Sequence, residues 1–257
     1  VHGSNLAIAG ILVRIIGMLY RIPVVNIIGS EGNGIYGAAF NIYNIMLVLS
    51  SYGLPMAVSK LVSARFTKRR YKSAAKVLRC SLMVAVCTGG IAALLVFFGA
   101  SFIENVIYGG GLPGLAIPLR ILAPTIFLVA ILGVIRGFFQ GQSTMIPTAV
   151  SQILEQIVNA IVSIAAGYGM MKAFASSPDV AAYGAAGSTL GTAMGALTAV
   201  LFMGFLYAVY TPTFNRLKRK DRHTENQSTG QICKIIIYTM IPIILGQTFY
   251  QISACLL

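Results

Sequence analysis

The chain has 257 residues, of which 57% are hydrophobic and only 10% are charged, and its formal net charge is +13. A soluble domain carries about 25% charged residues, so this composition excludes a soluble globular protein and predicts an integral membrane protein. Nucleic-acid binding is not indicated either, because the basic residues cluster in short segments between apolar stretches, as in membrane proteins with basic cytoplasmic loops.

Apolar stretches long enough to cross a bilayer recur along the whole chain and predict an all-α membrane fold. We predict six complete transmembrane helices and most of a seventh. Their approximate ranges are 5–28, 34–58, 78–102, 115–139, 145–171 and 181–210, and the seventh begins near Ile232. The chain starts with Val1 and stops at Leu257 inside an apolar run, so we expect it to be the front part of a longer protein.

Two arginines are the only charges of the first predicted span. Arg14 and Arg21 are seven residues apart, nearly two helical turns, so their side chains project from one face, which Gly10 and Gly17 share. A charge at the bilayer centre costs about 2.5–3.5 kcal/mol on insertion scales, so two such charges indicate a function. We predict a water-filled cavity in which the arginines bind an anion and the glycines leave room for it.

Amide groups extend this prediction to two more spans. Asn41 and Asn44 are three residues apart in the second span, and Gln247, Tyr250 and Gln251 follow helical spacing in the seventh. We expect these side chains to share a hydrated centre with the arginines.

The fifth span carries a polar stripe around Glu155, the only acid well inside any predicted span. Two interpretations fit it. Either the stripe lines the cavity, with Glu155 as a proton- or cation-sensitive group or as the partner of Arg14 or Arg21, or it is a polar seam that only holds helices together. We favour the cavity, because ionisable residues within the membrane are usually functional. The stripe consists of Gln152, Glu155, Gln156, Asn159 and Ser163.

Small residues predict a packing surface on the sixth span. Gly187, Gly191 and Gly195 form a GxxxGxxxG ridge, which is typical of close contact between membrane helices.

The loop charges predict the orientation and the domain organisation. The segment 60–79 has eight basic residues and no acid, and a second basic cluster follows the sixth span, so the N-terminus is predicted to be cytoplasmic. Residues 60–76 fit either an amphipathic helix at the inner membrane interface or a solvated helix. We divide the chain into a six-helix lobe (1–212), a basic and polar cytoplasmic linker (213–230) and the first helix of a second lobe (231–257).

No pattern in the sequence indicates an enzyme. We find no hydrolase triad, no metal-ligand cluster and no ATPase phosphate loop. The sequence therefore predicts a transporter without a cofactor, driven by a coupling cation (Na⁺ or H⁺) or by the membrane potential. It carries no prediction of the oligomeric state.

Several segments together resemble the stage V sporulation protein B and lipid II flippase group. The resemblance covers most of residues 5–160 and fades in the sixth span. The matching segments are Leu12–Pro23, Ile28–Gly32 with Ile35 and Tyr36, Tyr52–Pro55 with Ala57–Lys60, Arg136–Gly141, and Met145–Gln152 with Glu155 and Gln156.

The resemblance implies the multidrug/oligosaccharidyl-lipid/polysaccharide (MOP) exporter superfamily, whose members have about fourteen spans in two lobes around a central cavity with alternating access. It further implies a bacterial cytoplasmic membrane protein. In the lipid II flippases, arginines of the first span contribute to a cationic cavity for a diphosphate-sugar headgroup, and Arg14 and Arg21 occupy the matching motif positions.

Three functions follow, of which the first is favoured. The protein is expected to flip an undecaprenyl-diphosphate-linked saccharide, most of all lipid II, the peptidoglycan precursor, with this anionic lipid and the membrane lipids as its partners. The alternative within the superfamily is a cation-coupled multidrug exporter of the MATE type. A third reading is a non-transporting membrane scaffold for envelope-synthesis enzymes.

Overall fold

A computed structural model describes residues 2–222 and 227–256, and the side chains of residues 10–222 and 227–249. All regular structure in these ranges is helical, which confirms the predicted all-α class. Six helices of this part of the chain are long and apolar enough to cross a membrane, with residues 10–67 counted as one. The helices are α1 (His2–Ser50), α2 (Leu54–Thr67), α3 (Tyr71–Phe102), α4 (Ala116–Gly141), α5 (Ile146–Ala173), α6 (Val180–Lys220) and α7 (Thr229–Leu256), and a π-helical turn (Ile103–Ile107) extends α3.

Helix α1 is bent at Gly29 into two arms, residues 2–28 and 30–50. Gly29 has φ 70° and ψ −175°, a conformation that is open to glycine because it has no Cβ. On a straight helix Gly17 and Asn44 would be about 40 Å apart, yet both line one cavity, so the arms face each other. Each arm is long enough to cross about 30 Å of hydrocarbon. The first two predicted spans are therefore separated by the single non-helical residue Gly29 rather than by the gap of residues 29–33 between the predicted ranges.

The second predicted span, 34–58, is wrong at its end. The second arm stops at Ser50, and the separate helix α2 begins at Leu54, with proline in its first turn. Proline is tolerated there because the first amide groups of a helix have no partner within it. Ser50, Ser51 and Gly53 are typical turn residues at this break, and the predicted span passed over them.

The basic segment 60–76 is not one helix, so neither predicted form of it is correct. Helix α2 ends at Thr67 and α3 starts at Tyr71. Between them Arg69 adopts φ 54°, the left-handed conformation that interrupts a helix.

Helix α2 lies against a column of glycines on α4. A Cβ at Gly137 would lie 2.6 Å from the Pro55 carbonyl oxygen, and one at Gly141 would lie 2.8 Å from the Ser59 carbonyl oxygen. Gly133, one turn earlier, contacts the Pro55 ring. The column brings the two backbones together as small-residue motifs do in membrane helices.

Helices α6 and α7 both extend beyond their predicted limits. Helix α6 continues to Lys220, so part of the predicted linker is helical, and α7 begins at Thr229. Ile232, Ile236 and Met240 of α7 are buried in the core formed with α2 and α3. The division into lobes stays a prediction.

Candidate functional site

A cavity of about 410 Å³ lies between the two arms of α1. Arg21 lines it from the first arm, and Asn41 and Asn44 line it from the second. None of the described residues that line it is acidic, so its fixed charge is positive. The complete lining is Gly17, Tyr20, Arg21, Tyr36, Gly37, Phe40, Asn41 and Asn44.

Helical spacing places these side chains on facing surfaces. In the second arm, Gly37, Asn41 and Asn44 follow offsets of four and three, which is one face of an α-helix. Tyr36 and Phe40 border that face, with their ring centroids 4.5 Å apart. The bend at Gly29 turns this face toward the first arm. Polar residues that are distant in the sequence therefore line opposite sides of the same cavity.

Two glycines leave volume in the cavity for a guest. No heavy atom lies within 4 Å of a Cβ built at Gly37, and at Gly17 the nearest is the Gln156 side-chain oxygen, 4.0 Å away. These glycines therefore do not serve tight helix packing. Gly17 was predicted to clear space beside the arginines, and its surroundings agree with that prediction.

Arg14 stands apart from this cavity. Its side chain is exposed and does not belong to the lining. It lies about 10 Å along the first arm from Arg21, on the same face. Of the two arginines on this face, Arg21 thus lies in the cavity and Arg14 lies on the exposed surface of α1 beside it.

The polar stripe of α5 divides into two parts, and its second half is a seam between helices. Asn159 is buried and donates from Nδ2 to the Tyr20 hydroxyl at 3.2 Å. Ser163 is also buried, with its Oγ 2.9 Å from Asn159 Oδ1 and 2.8 Å from the Ser188 carbonyl oxygen. The interpretation of the whole stripe as a cavity wall is therefore wrong for Ser163. Asn159 does not line the cavity itself, but it is hydrogen-bonded to Tyr20, which does.

The glycine ridge of α6 explains this burial. Gly191 packs on the Ser163 side chain and the Asn159 carbonyl, and a Cβ at Gly195 would lie 2.6 Å from the Glu155 carbonyl oxygen. The predicted role of the ridge in close helix packing is thus confirmed, with α5 as its partner.

Glu155 forms an ion pair with Arg136 of α4. Arg136 Nη2 donates to Glu155 Oε2 at 2.8 Å, and Arg136 Nε donates to Ser151 Oγ at 2.9 Å. Both charged side chains are largely shielded, with 14% and 21% of their surfaces exposed. The predicted pairing of Glu155 with Arg14 or Arg21 is wrong, because α4 supplies the nearer cation.

Two further predicted residues lie outside the lining. Gln152 is half-buried on α5, one turn before Glu155, and Gln247 is half-buried on α7. The side chains of Tyr250 and Gln251 fall outside the described residues. The structure therefore unites Arg21, Asn41 and Asn44 in one lining and adds Asn159 through Tyr20. Arg14, Gln152, Glu155 and Gln247 lie outside the lining.

Sequence reasoning missed the aromatic part of the site. Tyr20, Tyr36 and Phe40 line the cavity but were not among the predicted site residues. A signal existed, since Tyr36, Phe40 and Asn44 recur every four residues on one helix. Arg136 was not among the predicted site residues, and it lies five residues before the end of α4.

Residues 3–230 match the family described as polysaccharide biosynthesis protein. Among curated relatives, the chain is 35% identical over 167 residues to lipid II flippase MurJ of Bacillus subtilis (strain 168), covering 63% of this chain and 31% of that protein. It is 30% identical over 197 residues to stage V sporulation protein B of the same organism, covering 76% of this chain and 36% of that protein. The chain thus spans about a third of the length of these relatives.

Solved structures show the same fold. A crystal structure of MATE in the straight conformation superposes with a TM-score of 0.78 at 17% identity, covering 98% of this chain and 54% of that one. The similarity confirms the predicted transporter fold. The predicted resemblance to the flippase and sporulation protein group is also confirmed, and one of these relatives is named as a flippase.

Proposed function

Because the chain belongs to the polysaccharide biosynthesis protein family, we propose that it acts in a flippase of the MOP superfamily for a lipid-linked anionic saccharide. The substrate is an undecaprenyl-diphosphate-linked saccharide, most of all lipid II. The protein it belongs to resides in the bacterial cytoplasmic membrane and moves this headgroup by alternating access between two lobes, of which residues 1–212 form the first.

The observation that carries this proposal is the cavity between the arms of α1. It combines Arg21 with two amides and three aromatic rings, and its described lining contains no acid. A guanidinium group binds phosphate oxygens through paired, charge-assisted hydrogen bonds. Asparagine both donates and accepts, which suits the hydroxyl and amide groups of a saccharide.

The physics of the transfer agrees with this composition. A diphosphate-sugar headgroup must pass about 30 Å of hydrocarbon, where an uncompensated charge costs several kcal/mol. A cavity with a cation and amides within the membrane replaces part of the lost hydration. The exposed Arg14 supplies a second cation on the approach to it.

The distribution of basic residues supports a cytoplasmic N-terminus. Lys72, Lys76 and Arg79 of the first basic segment line one pocket with Lys218 of the second. The two basic segments therefore lie at the same end of the helix bundle, as the positive-inside rule requires.

The alternative function, a cation-coupled multidrug exporter, has weaker support. Cationic drugs need a free carboxylate in the cavity, whereas Glu155 is paired with Arg136 and lies outside the lining. The fold alone does not separate the two functions, because both occur within the superfamily. Na⁺, H⁺ or the membrane potential remains our proposal for the driving force.

The decisive experiment measures lipid II translocation in vesicles that contain the full-length protein. Arg21→Ala should lower the initial rate roughly tenfold or more, since hydrogen bonds to charged groups contribute about 1.5–3 kcal/mol. Arg21→Lys should give an intermediate rate, because lysine keeps the charge but loses the planar fork.

Arg120→Ala is the matched control. Arg120 is also an exposed arginine in a helix, but it donates to Ser101 on α3, away from the cavity. It should leave the rate unchanged. Undiminished flipping by Arg21→Ala would refute the proposed site. If no cavity substitution changed the translocation rate, the scaffold function would be favoured.

A further inference from the structure

A second cationic pocket, separate from the α1 cavity, lies where α3, the end of α6 and the start of α7 meet. Its volume is about 470 Å³. Four basic side chains line it, Lys72, Lys76 and Arg79 from α3 and Lys218 from α6, and none of its described lining residues is acidic. Four like charges converge here although their mutual repulsion is unfavourable, which indicates an anionic ligand.

Two hydrogen bonds connect the helices that surround the pocket. The Lys72 backbone amide donates to Asp221 Oδ2 at 2.8 Å, which ties the start of α3 to the end of α6. Lys76 Nζ donates to the Gln227 carbonyl oxygen, which ties α3 to the segment before α7. With the one carboxylate of Asp221 against four basic side chains, the cluster keeps a net positive charge.

The start of α7 adds to the positive potential. Ser228 and Gln231 bond reciprocally, Gln231 N to Ser228 Oγ at 3.2 Å and Ser228 N to Gln231 Oε1 at 2.9 Å. This capping box fixes the helix N-terminus, where the helix dipole is positive. Thr229, the first residue of α7, lines the pocket.

Along this face of α3, the exposed side chains change from basic to apolar. Lys72, Lys76 and Arg79 are followed at helical spacing by Met83 and Val86. Met83 also lines the pocket, and it and Val86 are 50% and 46% exposed. A cationic pocket that continues into an exposed apolar stripe matches an amphiphile with an anionic head and acyl chains, rather than a free anion.

We propose that this pocket binds the headgroup of an anionic phospholipid, with an acyl chain along Met83 and Val86. Basic pockets between membrane helices on the cytoplasmic side are suited to such headgroups. The bound lipid bridges α3 to α6 and α7, and so connects the predicted first lobe to the helix that follows the linker. The inference does not depend on the saccharide substrate, because it uses different residues.

The test is a titration of the full-length protein in neutral detergent with short-chain phosphatidylglycerol, short-chain phosphatidylcholine or inorganic phosphate, with thermal unfolding as the readout. Phosphatidylglycerol should raise the unfolding midpoint at lower concentration than the other two. Lys76→Gln combined with Arg79→Gln should weaken its apparent affinity about tenfold or more. Glutamine retains an amide donor for the Gln227 carbonyl.

Three controls give the experiment its discrimination. Lys60→Gln with Arg216→Gln removes the same charge outside the lining, and Arg21→Ala alters only the α1 cavity, so both should bind phosphatidylglycerol normally. Met83→Gln should weaken phosphatidylglycerol binding and leave phosphate binding unchanged. Equal responses to phosphate and phosphatidylglycerol, or equal losses in the Lys60 and Arg216 variant, would overturn the proposal.

Discussion

The Glu155 carboxylate lies 2.8 Å from Arg136 Nη2, and this contact joins α5 to α4 near the middle of the chain. It withdraws the only intramembrane acid of the predicted site from the α1 cavity. The cavity therefore keeps the positive charge of Arg21 uncompensated by Glu155, which is the electrostatic basis of the proposed preference for an anion.

Replacing one partner of the ion pair should destabilise the fold more than replacing both partners. Arg136→Gln and Glu155→Gln each leave a shielded charge without its partner, and each should lower the free energy of unfolding by about 1–3 kcal/mol. The double variant should be more stable than the sum of the two losses predicts. Thermal unfolding followed by helical circular dichroism measures all three. Strict additivity would show that the two residues do not interact.

The hydroxyl of Tyr20 should stabilise the wall of the cavity through Asn159. Tyr20→Phe removes the acceptor for the buried Asn159 amide and should cost about 1–3 kcal/mol. Tyr168→Phe, at an exposed position of α5, should cost little. The same thermal measurement compares them, and equal stabilities would indicate that the 3.2 Å contact contributes nothing.

Two glycines of α6 should respond in opposite ways to alanine. A Cβ at Gly195 meets the Glu155 carbonyl oxygen at 2.6 Å, whereas no heavy atom lies within 4 Å at Gly204. Gly195→Ala should therefore separate α5 from α6 and destabilise the protein by about 1–3 kcal/mol. Gly204→Ala should be neutral or slightly stabilising, because alanine favours the helix. Thermal unfolding of the two variants tests this, and a well-tolerated Gly195→Ala would contradict the packing role of the ridge.

The cavity amides should affect transport rather than stability. Asn41 and Asn44 are exposed to the cavity, so leucine at both positions removes hydrogen bonds to the substrate without burying an unpaired group. We expect a several-fold fall in the rate of lipid II translocation, at about 1 kcal/mol per hydrogen bond, with an unchanged unfolding midpoint. Asn26→Leu, an exposed asparagine of the first arm outside the lining, is the control and should transport normally.

Composition and periodicity determined much of the architecture. Runs of apolar residues set the number and order of the long helices, because a helix is the only single-segment way to satisfy backbone groups in lipid. The glycine spacing on α6 likewise predicted a packing ridge, since three glycines four residues apart necessarily share a face. Arg21, Asn41 and Asn44 were also identified in advance, because polar side chains are rare and costly in such helices.

Contacts between distant helices had to come from the tertiary structure. The pairing of Glu155 with Arg136 rather than with Arg14 or Arg21 depends on how α4 packs against α5, and helical spacing within one segment carries no information on that. The packing of α2 on α4 is also a tertiary feature, because the close contact of Pro55 with Gly133 and Gly137 depends on the approach of two separate helices. The sequence by itself thus determined which residues are too polar for lipid. The fold decided which of them face the α1 cavity, because the bend at Gly29 and the packing of α5 on α6 set their partners.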